Sequence, residues 1–132
     1  MNKAEYKDRL IIALRISLGL VFFWFGALKI FGYNPVYEIV YASFPWFAYG
    51  AGNLILGIGE TLIGLGLLTN IFRKLTHAVL ILHLVGTFTV FITGPEIMFN
   101  PYFPMLTLAG EFVFKNIVLA VSGLVVLTHG KK

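Results

Sequence analysis

Gly50-Ala-Gly-Asn-Leu-Ile-Leu-Gly-Ile-Gly-Glu60-Thr-Leu-Ile-Gly-Leu-Gly-Leu-Leu-Thr69 is a long apolar run interrupted by a single charge, and Asn70-Ile-Phe-Arg-Lys74 separates it from a second such run, Leu75–Thr93. A hydrocarbon core of about 30 Å needs about 20 helical residues to cross it. Backbone groups cannot go unpaired in lipid, so each run reads as a membrane-spanning α-helix. The short connection then permits only a tight antiparallel hairpin. Working outward, Leu10–Phe31 and Leu106–Thr128 meet the same criteria of length and apolarity. The expected fold is all-α: a polytopic membrane protein forming one four-transmembrane-helix bundle over residues 1–132. Pro35, Pro45, Pro95, Pro101 and Pro104 fall in the two longer connections, outside the proposed helix interiors.

Composition supports this. The chain is 58% hydrophobic and 12% charged, with a mean hydropathy of +0.87. A soluble domain of 132 residues has too little interior to hide that much apolar surface. Without cysteine there is no disulfide, thiol redox chemistry or cysteine-ligated metal cluster. The net charge of +4 suggests nucleic acid only superficially, because the basic residues flank apolar segments. The first run is too long for a signal-peptide core and is expected to be retained as a span.

Lys3, Lys7, Arg9, Arg73, Lys74, Lys131 and Lys132 fall at one side of the implied topology. The opposite loops, 32–49 and 94–105, contain Glu38 and Glu96 but no Lys or Arg. By the positive-inside rule both termini are expected on the cytoplasmic side. Tyr33, Tyr37, Tyr41, Trp46, Tyr49 and Tyr102 gather at the other boundary, the level amphipathic rings prefer. A weak repeat is also visible: Ser43-Phe44-Pro45-Trp46 and Tyr102-Phe103-Pro104-Met105 precede spans of the same direction 59 positions apart, an offset shared by Arg15 and Lys74. It suggests two helix–loop–helix halves, or simply two interfacial turns.

Ionisable groups within spans are expensive and face protein, water or a partner. Helical spacing gives one polar stripe per span: Arg15 and Lys29; Asn53 and Glu60; Thr76, His83 and Thr87; Glu111, Lys115 and Ser122. Four stripes suggest a common polar axis. Counting about 1.5 Å per residue from the span boundaries brings Glu60, His83 and Lys115 to the midplane. The expected contacts are Glu60–Lys115 with His83 nearby, and an outer Lys29–Glu111 pair. Glu111 and Lys115 could also pair within their own helix. Such pairs also serve as packing or register marks without chemistry, and Lys29 and Arg15 can snorkel to headgroups. No second histidine shares the His83 face, since His77 is offset by six positions, so no metal site is expected. Glycine recurs in two heptad series, Gly50/Gly57/Gly64 and Gly52/Gly59/Gly66, on nearly opposite faces of the second span, which implies close packing on both sides. There is no phosphate loop, dinucleotide fingerprint, nucleophile elbow or HExxH, and little room is expected for paired broken helices.

Arg15-Ile-Ser-Leu-Gly-Leu-Val-Phe-Phe-Trp-Phe-Gly-Ala-Leu-Lys29 resembles the opening helix of DoxX-like membrane proteins, with an Arg beginning the span and Gly-x-x-Lys closing it. Gly59-Glu60 and Gly64-Leu65-Gly66 look like that family's second helix, and Glu111-Phe-Val-Phe-Lys115-Asn116 is similar to the last helix of its YkgB-like branch. The resemblance covers most of the chain. It implies a small four-helix inner-membrane protein, of a family in which some members are associated with thiosulfate:quinone oxidoreduction, some with oxidative or sulfur stress, and relatives act as assembly factors. It also implies Arg15, Lys29, Glu60, Glu111 and Lys115 as the polar set, and supplies no reaction.

The expected function is thus a subunit of a redox or stress-response system, binding a quinone-like or lipid-like ligand at a buried axis of Arg15, Lys29, Asn53, Glu60, His83, Glu111 and Lys115. Lys115 or His83 would donate to a quinone carbonyl and Glu60 would relay a proton. No covalent cofactor or nucleic acid is expected; the bilayer, a partner membrane protein or a second copy is. The alternatives are an accessory subunit or assembly factor without catalysis, and a proton or ion pathway.

Overall fold

The computed structural model describes residues 2–34 and 36–129; Pro35, Lys131 and Lys132, used above for the loops and the orientation, lie outside the described residues. Helix α1 covers Lys3–Ile30, α2 Tyr37–Ser43, α3 Gly50–Thr69, α4 Arg73–Thr87, α5 Val90–Thr93, α6 Pro95–Met98, α7 Leu108–Phe114 and α8 Asn116–His129, with a 3₁₀ turn at Pro45–Ala48. Four stretches are long and apolar enough to cross a membrane: Lys3–Ile30, Gly50–Thr69, Arg73–Thr93 and Leu108–His129. The protein is an all-α, multi-pass membrane protein built as a four-helix bundle.

Helix α1 starts seven residues before the apolar run. Asn2 Oδ1 accepts from Glu5 N at 2.8 Å and caps it, and no Gly or Pro precedes Gly19 to stop a helix. The α3–α4 hairpin turns on two left-handed residues, Asn70 (φ 61°) and Phe72 (φ 49°). Asparagine tolerates that conformation, whereas a bulky Phe there is uncommon.

Helices α1 and α3 run antiparallel with touching backbones. A β-carbon on Gly64 would stand 2.7 Å from Gly19 O and from Phe23 Cα; one on Gly57 would stand 2.8 Å from Lys29 Cβ. The second glycine series is also tight at two of its three positions. A β-carbon on Gly52 would run into the Trp46 carbonyl and one on Gly66 into the Thr76 side chain of α4, while Gly59, like Gly50 of the first series, meets nothing within 4 Å.

The repeat has a structural counterpart, although the matching residue is Arg73 rather than Lys74. Arg15 Nη1 donates to the carbonyls of Leu67 and, at 3.1 Å, Leu68, which end α3. Arg73 Nη2 donates to Val126 O at 2.7 Å and to Leu127 O, which end α8. Each arginine answers the orphan carbonyls and negative dipole end of its partner helix.

The third and fourth spans are not perfectly regular α-helices, although each remains one apolar helical stretch long enough to cross a membrane. The third breaks after Thr87, where the hydroxyls of Thr87 and Thr89 bond the carbonyls of Leu84 (2.6 Å) and Gly86 (2.8 Å) and compete with the backbone ladder. The fourth is only slightly irregular at Lys115, which keeps right-handed helical dihedrals and still donates its N–H to Glu111 O at 3.0 Å. One apolar cluster, including Leu18, Phe22, Ile63, Leu67, Leu80 and Leu84, fills the bundle towards its basic end. A second, Ile39, Val90, Met98 and Val113, lies under the opposite loops.

Candidate functional site

Three ionisable side chains meet at the seam between these clusters. Lys29 Nζ stands 2.7 Å from Glu60 Oε1, and His83 Nε2 stands 3.1 Å from Glu60 Oε2. Lys29 and Glu60 are 4% and 5% exposed, whereas the His83 side chain keeps 21% exposure. Phe22 packs edge-on against the imidazole, with centroids 5.7 Å apart. Among the described residues, His83 Nδ1 makes no hydrogen bond.

The expected partners of Glu60 and Lys29 are therefore exchanged. Glu60 pairs with Lys29 rather than Lys115, and Lys29 does not meet Glu111. The depth count assumed that every span starts at one plane. In fact the first two turns of α3 extend past the end of α1, beneath the 3₁₀ turn, where Gly52 abuts the Trp46 carbonyl. Lys29 thus lies level with Gly57, one turn from Glu60. Side chains lean towards the N-terminus of their own helix. In antiparallel α1 and α3 this tilts Lys29 and Glu60 towards each other.

Glu111 and Lys115 are both exposed, and Lys115 also borders the small cavity that Lys29, Glu60 and His83 line. Lys115 Nζ donates to Asn116 Oδ1 at 3.1 Å and lies 4.0 Å from the Phe112 ring centroid. Among the described residues neither Glu111 nor Lys115 forms an ion pair, so their pairing within the helix is not seen either. The inward polar residue of that span is instead Asn116, 5% exposed. Its Nδ2 donates to Thr87 Oγ1 at 2.9 Å and ties the third and fourth spans together. Asn116 stands one position from Lys115 in sequence, and the charged neighbour masked its role. Arg15 belongs to the clamp on α3, far from Glu60 along α1. Asn53 supports the site from its own helix: its Nδ2 donates to Lys29 O at 3.2 Å and its Oδ1 accepts from Asn34 at 3.0 Å. His77 is more buried than His83, at 2% exposure, with Nδ1 2.8 Å from Arg73 O. Among the described residues no group of three or more acidic or histidine side chains could hold a metal.

Two adjoining spaces share His83 as a wall. The inner one, about 80 Å³, is lined by Lys29, Glu60, His83, Thr87, Lys115 and Asn116 among others. It has room for water-sized groups. The outer one, about 410 Å³, is apolar, with Val40, Phe44, Phe47, Leu56 and Leu82 around it and Ser43, His83 and Thr87 as its polar points. That volume lies in the range of small-molecule sites, roughly 300–1,000 Å³, and the lining has their usual mix of apolar walls and few polar groups. Leu82 is 72% exposed, so the groove opens at the outer face of the bundle.

No protein-family model, curated protein or solved structure matches the chain.

Proposed function

We propose that this protein binds an amphipathic, quinone-like or lipid-like ligand in the groove between α2 and α4, with its polar head against His83. The observation carrying this reading is the shared wall: one imidazole faces an apolar groove and hydrogen-bonds a buried carboxylate behind it. With Nε2 engaged by Glu60, Nδ1 is the nitrogen offered to the ligand. As a neutral imidazole it accepts a quinol hydroxyl proton, and the resulting cation is stabilised by Glu60; as an imidazolium it donates to a quinone carbonyl. Lys29 pairs directly with the other carboxylate oxygen of Glu60. The local irregularities after Thr87 and at Lys115 flank this point. A redox role requires a partner subunit that supplies or takes the electrons.

The positions of Lys29, Glu60 and Lys115 suit the DoxX-like resemblance, and the basic residues suit a bacterial inner membrane with both termini cytoplasmic. A second reading, an accessory subunit, is favoured by Glu111, whose exposed carboxylate in the first turn of α7 suits a partner helix or a second copy.

The test is photolabelling of membranes with a photoreactive benzoquinone. Labels are expected on α2 and α4 around Val40, Phe47 and Leu82. His83→Leu is expected to weaken labelling about ten-fold or more, since a hydrogen bond to a charged group contributes about 1.5–3 kcal/mol. Labelling that is unchanged by His83→Leu, or spread over the whole lipid-facing surface, defeats the proposal.

A further inference from the structure

At the basic end, far from His83, the first turns of α1 and the last turn of α8 line a shallow, open cavity of about 710 Å³. Lys3 and Lys7 stand on its rim with His129, and Leu10, Leu14 and Val125 form its walls. The spacing puts Lys3, Lys7, Leu10 and Leu14 on one face of α1. Glu5 and Asp8, in the same stretch, are not among the residues lining it. The cavity thus carries cations at its mouth and hydrocarbon below, over a drop of about 10 Å from Lys7 to Leu14. That is the separation between a headgroup phosphate and the upper part of an acyl chain. We infer that this cavity is a binding site for one acidic phospholipid of the leaflet at the basic end, its phosphate held by Lys3 and Lys7 and a chain laid along Leu10, Leu14 and Val125. Charge complementarity selects the acidic headgroup, and the apolar walls select a lipid over a free anion. A basic pocket between transmembrane helices is a recurrent means of acidic-lipid recognition.

The experiment is native mass spectrometry of the full chain released from vesicles of equal parts phosphatidylglycerol and phosphatidylcholine. A retained phosphatidylglycerol, preferred over phosphatidylcholine, is expected. Lys3→Gln/Lys7→Gln should reduce that preference about twenty-five-fold, or about five-fold for each lysine, the ratio equivalent to about 1 kcal/mol per basic residue near an acidic surface. Both lysines are exposed, so the fold does not depend on them. Leu10→Trp, which puts a bulky ring in the path of the acyl chain and leaves the charges in place, should also expel the lipid. Lys74→Gln, at the same end but outside the cavity, should leave it bound. Equal loss with Lys74→Gln would show diffuse surface attraction, retention in Leu10→Trp would place the lipid elsewhere, and displacement by millimolar inorganic phosphate would make this a free-anion site. Each of these three results overturns the inference.

Discussion

Lys29→Met tests the buried cluster most directly. Methionine keeps the length and apolar stem of lysine, so packing against Gly57 is retained and the ammonium is what disappears. Across 2.7 Å, and at an effective dielectric of about 20, the lost Coulomb attraction is about 6 kcal/mol. Part of that is offset because the ammonium no longer has to be stripped of water, which leaves a destabilisation of about 3–5 kcal/mol for a pair broken on one side. Glu60 would then depend on His83 alone. Lys29→Met/Glu60→Leu removes both charges and should recover most of the loss, since a buried pair replaced by apolar groups of similar volume is close to neutral. Lys115→Met should cost less than about 1 kcal/mol, because that lysine is exposed and forms no ion pair among the described residues. Reversible unfolding in mixed micelles, followed by the fluorescence of Trp24 and Trp46, measures all four proteins. Equal losses for Lys29→Met and Lys115→Met, or no recovery in the double variant, would refute the assignment of Lys29 as the partner of Glu60.

Gly64→Ala should destabilise by about 1–3 kcal/mol through overpacking, because its β-carbon would press on the α1 backbone. Gly59→Ala, facing open space, should stabilise by about 0.5–1 kcal/mol in the same unfolding assay. Arg15→Leu should leave the α3 terminal carbonyls without their charged donor, at a cost of about 1.5–3 kcal/mol, and hydrogen exchange should rise first in the last turn of α3. Asn116→Leu should loosen the junction of the third and fourth spans by about 1 kcal/mol or more, whereas Glu111→Gln should leave stability unchanged. Equal effects at these two positions would contradict the inward placement of Asn116.

Hydropathy, loop length and the need to satisfy every backbone group in lipid are properties of the chain itself. They were enough to place four spans, the tight hairpin after Thr69 and the presence of costly charges inside the spans. Helical spacing also marked the faces of Asn53 and Glu60. The partners were not legible, because pairing depends on how far each helix protrudes beyond its neighbours and which way its side chains lean. Gly57 seated on Lys29 set the register of α3 against α1, and that contact exists only once the helices pack. For the same reason the sequence pointed to Lys115, the conspicuous charge, where packing turned Asn116 inward. The local irregularities after Thr87 and at Lys115 escaped too, since hydroxyl-to-carbonyl bonds and a junction between two spans leave no hydropathic trace.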